Sequence, residues 1–156
     1  MSDPLLPADI QAFLHEGHDV MRTLVAGLPA SALDWKPGEE TNSIAALVSH
    51  ALDAERHLTS AVADLSLPRD REAAFRVEGL TGDELVALID AAERDVDGNL
   101  GLVTPDRLET MIVRPNRADT GARWLIRAAA HSREHIGQAN LTRQLAEQAG
   151  VDLLGG

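Results

Sequence analysis

The sequence predicts an all-α protein, a four-helix bundle. Two observations carry that expectation. Four stretches of about 18 to 29 residues place apolar side chains at helical spacing, and each is bounded by capping residues or breakers. No heptad pattern continues beyond these lengths, which argues against a long coiled coil.

The first helix is expected from Pro7 or Ala8 to Leu28, with an apolar stripe of Ile10, Phe13, Leu14, Gly17, Met21, Leu24, Val25 and Leu28. Pro29 stops it. The connection from Ser31 has Leu33 and Trp35 as apolar anchors and Pro37-Gly38 as a turn. Asn42 or Ser43 caps a second helix, Ile44 to about Leu65, with Leu47, Ala51, Ala54, Leu58, Ala61 and Leu65 facing inward.

Residues Ser66 to Leu80 lack periodicity; Phe75 and Val77 are expected to tuck a short extended piece against the bundle. Thr81-Gly-Asp-Glu84 is a capping-box pattern. A third helix follows, about Asp83 to Leu100, with Leu85, Leu88, Ile89, Ala92 and Val96 inward. The long connection from Leu102 to Asp119 contains Pro105 and Pro115, and Met111, Ile112 and Val113 suit a short strand. Asp119 or Thr120 caps the fourth helix, Gly121 to about Ala149, which Gly150 ends. The chain shows no internal repeat and no low-complexity segment.

At 156 residues the chain is expected to form one domain, residues 1–156, with a sizeable core. A net charge of −11 disfavours nucleic acid as a partner. The lack of Tyr and an aromatic content of 3% leave few rings to stack bases. There is no Cys, hence no disulfide, thiolate ligand or cysteine nucleophile, and metal ligands must be His, Asp or Glu. The first residues carry no basic, apolar leader pattern and no stretch suits a membrane span, so the expectation is a cytoplasmic protein without a membrane partner.

The most informative feature is His131 and His135 in the fourth helix. Four residues apart, two imidazoles share a helix face and can reach one divalent ion. Trp124, Ala128, Gln138 and Thr142 follow nearly the same azimuth, so both rings are expected to face the bundle interior. On the second helix His50 and His57 lie roughly 10 Å apart along the axis and cannot easily share an ion. One of them can complete the site. The small neighbours Ala46, Ser49, Ala51 and Ala54 favour His50. Three imidazoles would leave coordination positions open on Zn²⁺, Ni²⁺ or Fe²⁺.

Around the site, Gln138, Asp53 and Glu134 are candidates for orienting the rings. His15 and His18 are expected at the boundary of the first helix's apolar stripe, His57 as a half-buried polar residue, and Trp124 in the core. Glu39 and Glu40 decorate a loop. Arg114, Arg117, Arg123 and Arg127 cluster near the start of the fourth helix; they are either a solvated surface offsetting acidic charge or a carboxylate-binding group. No residue is assigned as catalytic, with Glu55 and Asp53 the guesses for a general base.

Two blocks resemble a known family. Leu33-DWKPGEETNSIAALVSHALDAERHL-Thr59 is similar to its L-x-W-x-P … S-I … H-x-x-x-x-E entry into the second helix. His131-SREHIGQAN is similar to its H-x-x-x-H-x-G-Q on the last long helix. The family is the DinB/YfiT-like superfamily, and the resemblance spans nearly the whole chain. It implies a four-helix bundle, often dimeric, with a metal held by three histidines, here His50, His131 and His135. The resemblance also implies a metal-dependent enzyme. One form is a thiol-dependent S-transferase using a low-molecular-weight thiol such as mycothiol or bacillithiol, with zinc or nickel as the cofactor and a small molecule as substrate. A metal-dependent hydrolase and a non-catalytic bundle that binds a small ligand are the alternatives.

Overall fold

The computed structural model describes residues 6–155. The expected absence of a leader at residues 1–5 lies outside them. Four long helices dominate: α1 (Leu6–Val25), α3 (Ile44–Val62), α5 (Gly82–Gly101) and α7 (Gly121–Gln148). Between them lie short helices α2 (Ala30–Leu33), α4 (Arg71–Phe75) and α6 (Pro105–Glu109), and an antiparallel hairpin, β1 (Met111–Arg114) and β2 (Arg117–Thr120).

Local chemistry sets most boundaries. Ser43 accepts from the Ala46 amide and starts α3, while Thr120 accepts from the Arg123 amide and starts α7. Thr81 and Glu84 form the reciprocal capping box of α5. Helix α1 ends at Val25, earlier than Leu28, because Gly27 adopts a left-handed φ of 72° before Pro29 is reached. Likewise α3 stops at Val62, short of Leu65, where Asp64 turns left-handed at φ 62°. The segment around Phe75 is a single helical turn, not an extended piece: Asp70 caps it by accepting from the Ala73 amide. Of the inward residues expected on α5, Leu88 is instead 38% exposed; it flanks the buried stripe of Leu85, Ile89, Ala92 and Val96. Phe13 of α1 is likewise exposed, while Leu14 takes the core position beside it.

Each long helix packs on two others. Helix α3 lies against α7 and α5, and α1 lies against the same two, so α1 and α3 occupy one diagonal of the bundle and α5 and α7 the other. The most extensive contact is α3 with α7, and it brings His50 to His131 and His135. Small buried residues on both helices, Ala51 and Ala54 on α3 and Ala128 and Ala139 on α7 among them, leave room for close approach. The core has two parts. One gathers around Met21, Leu33, Leu52 and Ile89; the other gathers around Leu14, Val96, Leu125 and Trp124 and is capped by Leu108 and Ile112 from α6 and β1. The start of α7 is seated tightly: a Cβ on Gly121 would collide with the Arg107 carbonyl, and the Gly121 amide donates to Thr110. Among the described residues no helix is long and apolar enough to cross a membrane.

Candidate metal centre

Each of the three histidines has a different support. His50 sits within α3, is 2% exposed, and its ring stacks on Phe75 of α4 with centroids 4.2 Å apart. His131 and His135 are half-buried on α7, one turn apart. They stand at the edge of that helix's buried face, which Ser132, Ile136 and Ala139 occupy, rather than in the bundle interior, and His131 lines a cleft. Gln138 is exposed instead of facing inward, yet its Oε1 lies 2.8 Å from His135 Nδ1.

The three rings converge. Centroids are 5.0 Å apart for His50 and His131, 4.8 Å for His50 and His135, and 4.4 Å for His131 and His135. One nitrogen from each comes within 4.8 Å of the others, the spacing of donors around one ion. The hydrogen-bond inventory fits such an ion. If His135 donates from Nδ1 to Gln138, its Nε2 carries a lone pair, and that atom lies only 3.2 Å from His131 Nε2. Two lone pairs at that distance repel unless a proton or a cation lies between them. A proton on His131 Nε2 would leave its buried Nδ1 as an acceptor, and that atom has no partner among the described residues. A cation would take both Nε2 lone pairs and remove their repulsion, with the His131 Nδ1 proton then the buried group without a partner among the described residues.

Electrostatics keep the donors available. Burial, then the neighbouring imidazoles His135 and His131 and the charges of Arg71 and Arg69, lower the His50 pKa to about 4. Burial and His135 also lower that of His131, against a smaller opposing pull from Glu134. Both rings are therefore neutral at pH 7, the state that binds metal.

His57 does not join the group. Its ring lies 6.2 Å from that of Trp124, and burial together with Arg69 lowers its pKa. Trp124 is in the core, 2% exposed, as expected. Asp53 does not support His50; it binds Arg69, with Nε at 2.8 Å and Nη2 at 2.7 Å. Glu55, a guess for a general base, is buried elsewhere. It accepts from Ser132 Oγ at 2.6 Å and from His18 Nε2 at 2.6 Å. His18 is thus not at a stripe boundary but fully buried, with Glu93 2.9 Å from its other nitrogen. His15 meets Asp97 at 2.7 Å and stays partly exposed.

The histidines open onto a cleft of about 690 Å³. His50, His57 and His131 are on its wall, and Trp124, Leu58 and Ala54 provide apolar surface. Arg69, Arg71, Arg114, Arg117 and Arg127 complete it. Arg69 and Arg71 lie on or just before a helix that the sequence pattern concealed. Arg123 points to a neighbouring groove and pairs with Asp119 at 3.4 Å.

The model of the DinB superfamily matches residues 14–139. The chain belongs to the DinB superfamily. Three solved structures share the DinB-like fold. A conserved protein of Enterococcus faecalis has a TM-score of 0.77 and 17% identity, covering 95% of this chain and 99% of its own. A DinB-like protein of Bacillus subtilis has a TM-score of 0.70 and 20% identity, covering 93% and 95%. A DinB-like protein of Bacillus cereus has a TM-score of 0.68 and 16% identity, covering 92% and 95%. At these identities the likeness concerns the fold. No curated protein matches the chain.

Proposed function

We propose that this DinB-superfamily chain is a metal-dependent enzyme. His50, His131 and His135 hold a divalent ion, zinc or nickel, for which an all-imidazole donor set is suited. The reaction proposed is transfer of a low-molecular-weight thiol onto an electrophilic small molecule. The observation that carries the reading is the convergence of three imidazole nitrogens within 4.8 Å at the wall of a cleft large enough for a small molecule. When bound, the ion supplies Lewis acidity, which favours the ionised form of a thiol at neutral pH.

The protein's own residues provide position and surroundings. Phe75 holds His50 by stacking on its ring, and Gln138 fixes the His135 tautomer and ring angle. Trp124 and Leu58 give the cleft an apolar wall that excludes water from part of it. The chain has no Cys, so the sulfur nucleophile comes from the bound thiol. In the net reaction the thiol loses its proton to solvent, sulfur bonds to the electrophilic carbon, and the leaving group departs with its electron pair.

Two measurements test this. Metal analysis of protein purified without chelator is expected to find about one divalent ion per chain, as one three-histidine site requires. Turnover of a chloronitrobenzene is expected to need added thiol; equal rates with and without it would replace thiol transfer by hydrolysis. A metal-free protein as purified, still metal-free after zinc is added, would remove the metal centre itself.

A further inference from the structure

The arginines of the cleft are not distributed as a solvated surface would be. Five of the 14 basic side chains of an acidic protein line this one cavity, and among the described residues no carboxylate lines it. Arg69 is held by Asp53, and Arg71 lies 5.7 Å over the Phe75 ring. Arg114, Arg117 and Arg127 have no carboxylate partner among the described residues; outside the cleft Arg22, Arg56, Arg76, Arg107, Arg123, Arg133 and Arg143 have one, and the exposed Arg94 does not. The hairpin makes the contrast sharper. Its register sets Arg114 directly opposite Arg117, beside the turn at Pro115 and Asn116. Like charges facing across two strands destabilise the pair, and here both side chains are half-buried. Such an arrangement costs stability unless something negative offsets it.

We propose that the hairpin end and the first half of α7 form an anion site, in which Arg114, Arg117 and Arg127 receive a carboxylate or phosphate group of a small molecule. His131 lines the same cleft as these arginines, so one molecule can span both. In calling that molecule the substrate, the inference rests on the reading of the histidines as a metal centre; the anion site itself does not. The substrate is then a small organic acid, anchored by its anionic end with its reactive end at the histidines. Guanidinium groups suit that task because they bind carboxylate and phosphate in a bidentate manner.

Calorimetric titration of the metal-free protein with succinate, phenyl phosphate and neutral succinamide tests this. Either anion binding while succinamide does not supports the site, and the tighter anion tells carboxylate from phosphate. Arg114→Gln/Arg117→Gln/Arg127→Gln is expected to weaken the bound anion by about tenfold or more, and 0.5 M NaCl to weaken it in wild type. Arg94→Gln, on exposed α5 surface outside the cleft, is expected to leave it unchanged. The exposed Arg127→Gln alone keeps the test valid should the triple variant misfold; its expected loss is about threefold. Unchanged affinity in the arginine variants, equal binding of succinamide, or no binding of either anion overturns the proposal. His131→Ala separates the two readings: loss of metal with anion binding intact leaves this site standing whatever becomes of the metal centre.

Discussion

Two histidine environments lie in the same bundle and differ in almost every respect. At the cleft, His50, His131 and His135 face one another, and two of their buried nitrogens lack any partner among the described residues. Across α3 and α7, His18 is enclosed: Glu55 meets one of its nitrogens and Glu93 the other. Glu55 also takes Ser132, and Glu93 also takes Arg22, so the network ties all four long helices together. Burial alone would lower the His18 pKa, but the hydrogen bonds and charges of Glu55 and Glu93 outweigh it and raise the pKa. Burial without carboxylates lowers that of His50. The same side chain thus has a carboxylate at each nitrogen, which favours its protonated form, in one place and is an unsatisfied neutral ring in the other. The partners decide which, and only the second environment has capacity left for a ligand.

The largest effect expected follows from that spare capacity. His131→Ala and His135→Ala should each weaken zinc binding on the order of a thousandfold, because a three-donor site loses a third of its ligands. His18→Gln should leave zinc binding within about twofold. Competition with a chromophoric chelator reads both, and comparable losses in all three variants would erase the distinction between the environments.

Next comes the closed network. Glu55→Ala takes the carboxylate from the buried His18 Nε2 and leaves Ser132 without its acceptor. It should cost about 3 kcal/mol of unfolding free energy in urea. His50→Ala removes a ring whose buried Nδ1 has no partner among the described residues, and metal-free protein should lose less. A milder loss in Glu55→Ala than in His50→Ala would show that the network is not the stronger tie.

How far each environment was legible in sequence follows from where its partners come from. His131 and His135 share one helix, so their spacing alone places them on one face, and the small residues around His50 favoured it over His57 as the third ring, the ring that the fold brings to them. The caps at Ser43, Thr81 and Thr120 were equally local. His18 has no such signal: Glu55 and Glu93 are 37 and 75 residues away, and which of them faces it depends on how α1, α3 and α5 pack. Helix α4 is a single turn, too short for periodicity, so the stacking of Phe75 on His50 and the placement of Arg71 were hidden with it. Asp53 lies one turn from His50, but the loop carrying Arg69 returns to claim it.

The two environments should also pull stability in opposite directions with pH. In the metal-free protein His50 and His131 stay neutral while the unfolded chain takes up protons below about pH 6.5. Their contribution is present above that value and lost as pH falls, for His50 down through about 4. His18 is the reverse: its pKa is raised, so its contribution is fully present below about 6.5 and lost as pH rises through the higher folded value. Urea unfolding from pH 5 to 9 should therefore show a flatter acid limb in His50→Ala and a flatter alkaline limb in His18→Gln. Identical profiles for the two variants would contradict the assignment.

The smallest effect sharpens the comparison through two glycines. Gly137 lies within α7 between His135 and Gln138, and a Cβ there meets nothing within 4 Å. Gly17 lies in α1 beside His18, and its Cβ would stand 3.1 Å from Ile136 Cδ1 and 3.8 Å from Ser132 Oγ. Both helices gain from alanine in principle, by about 0.5–1 kcal/mol, through reduced backbone entropy. At Gly137 the full gain should appear in thermal unfolding, because the open side has room. At Gly17 the packed side must shift Ile136 to accept the methyl, so the gain should shrink or reverse. Equal stabilisation at both positions would mean that the closed network sits in a core looser than its contacts indicate, and that the contrast between the two environments is one of charge alone.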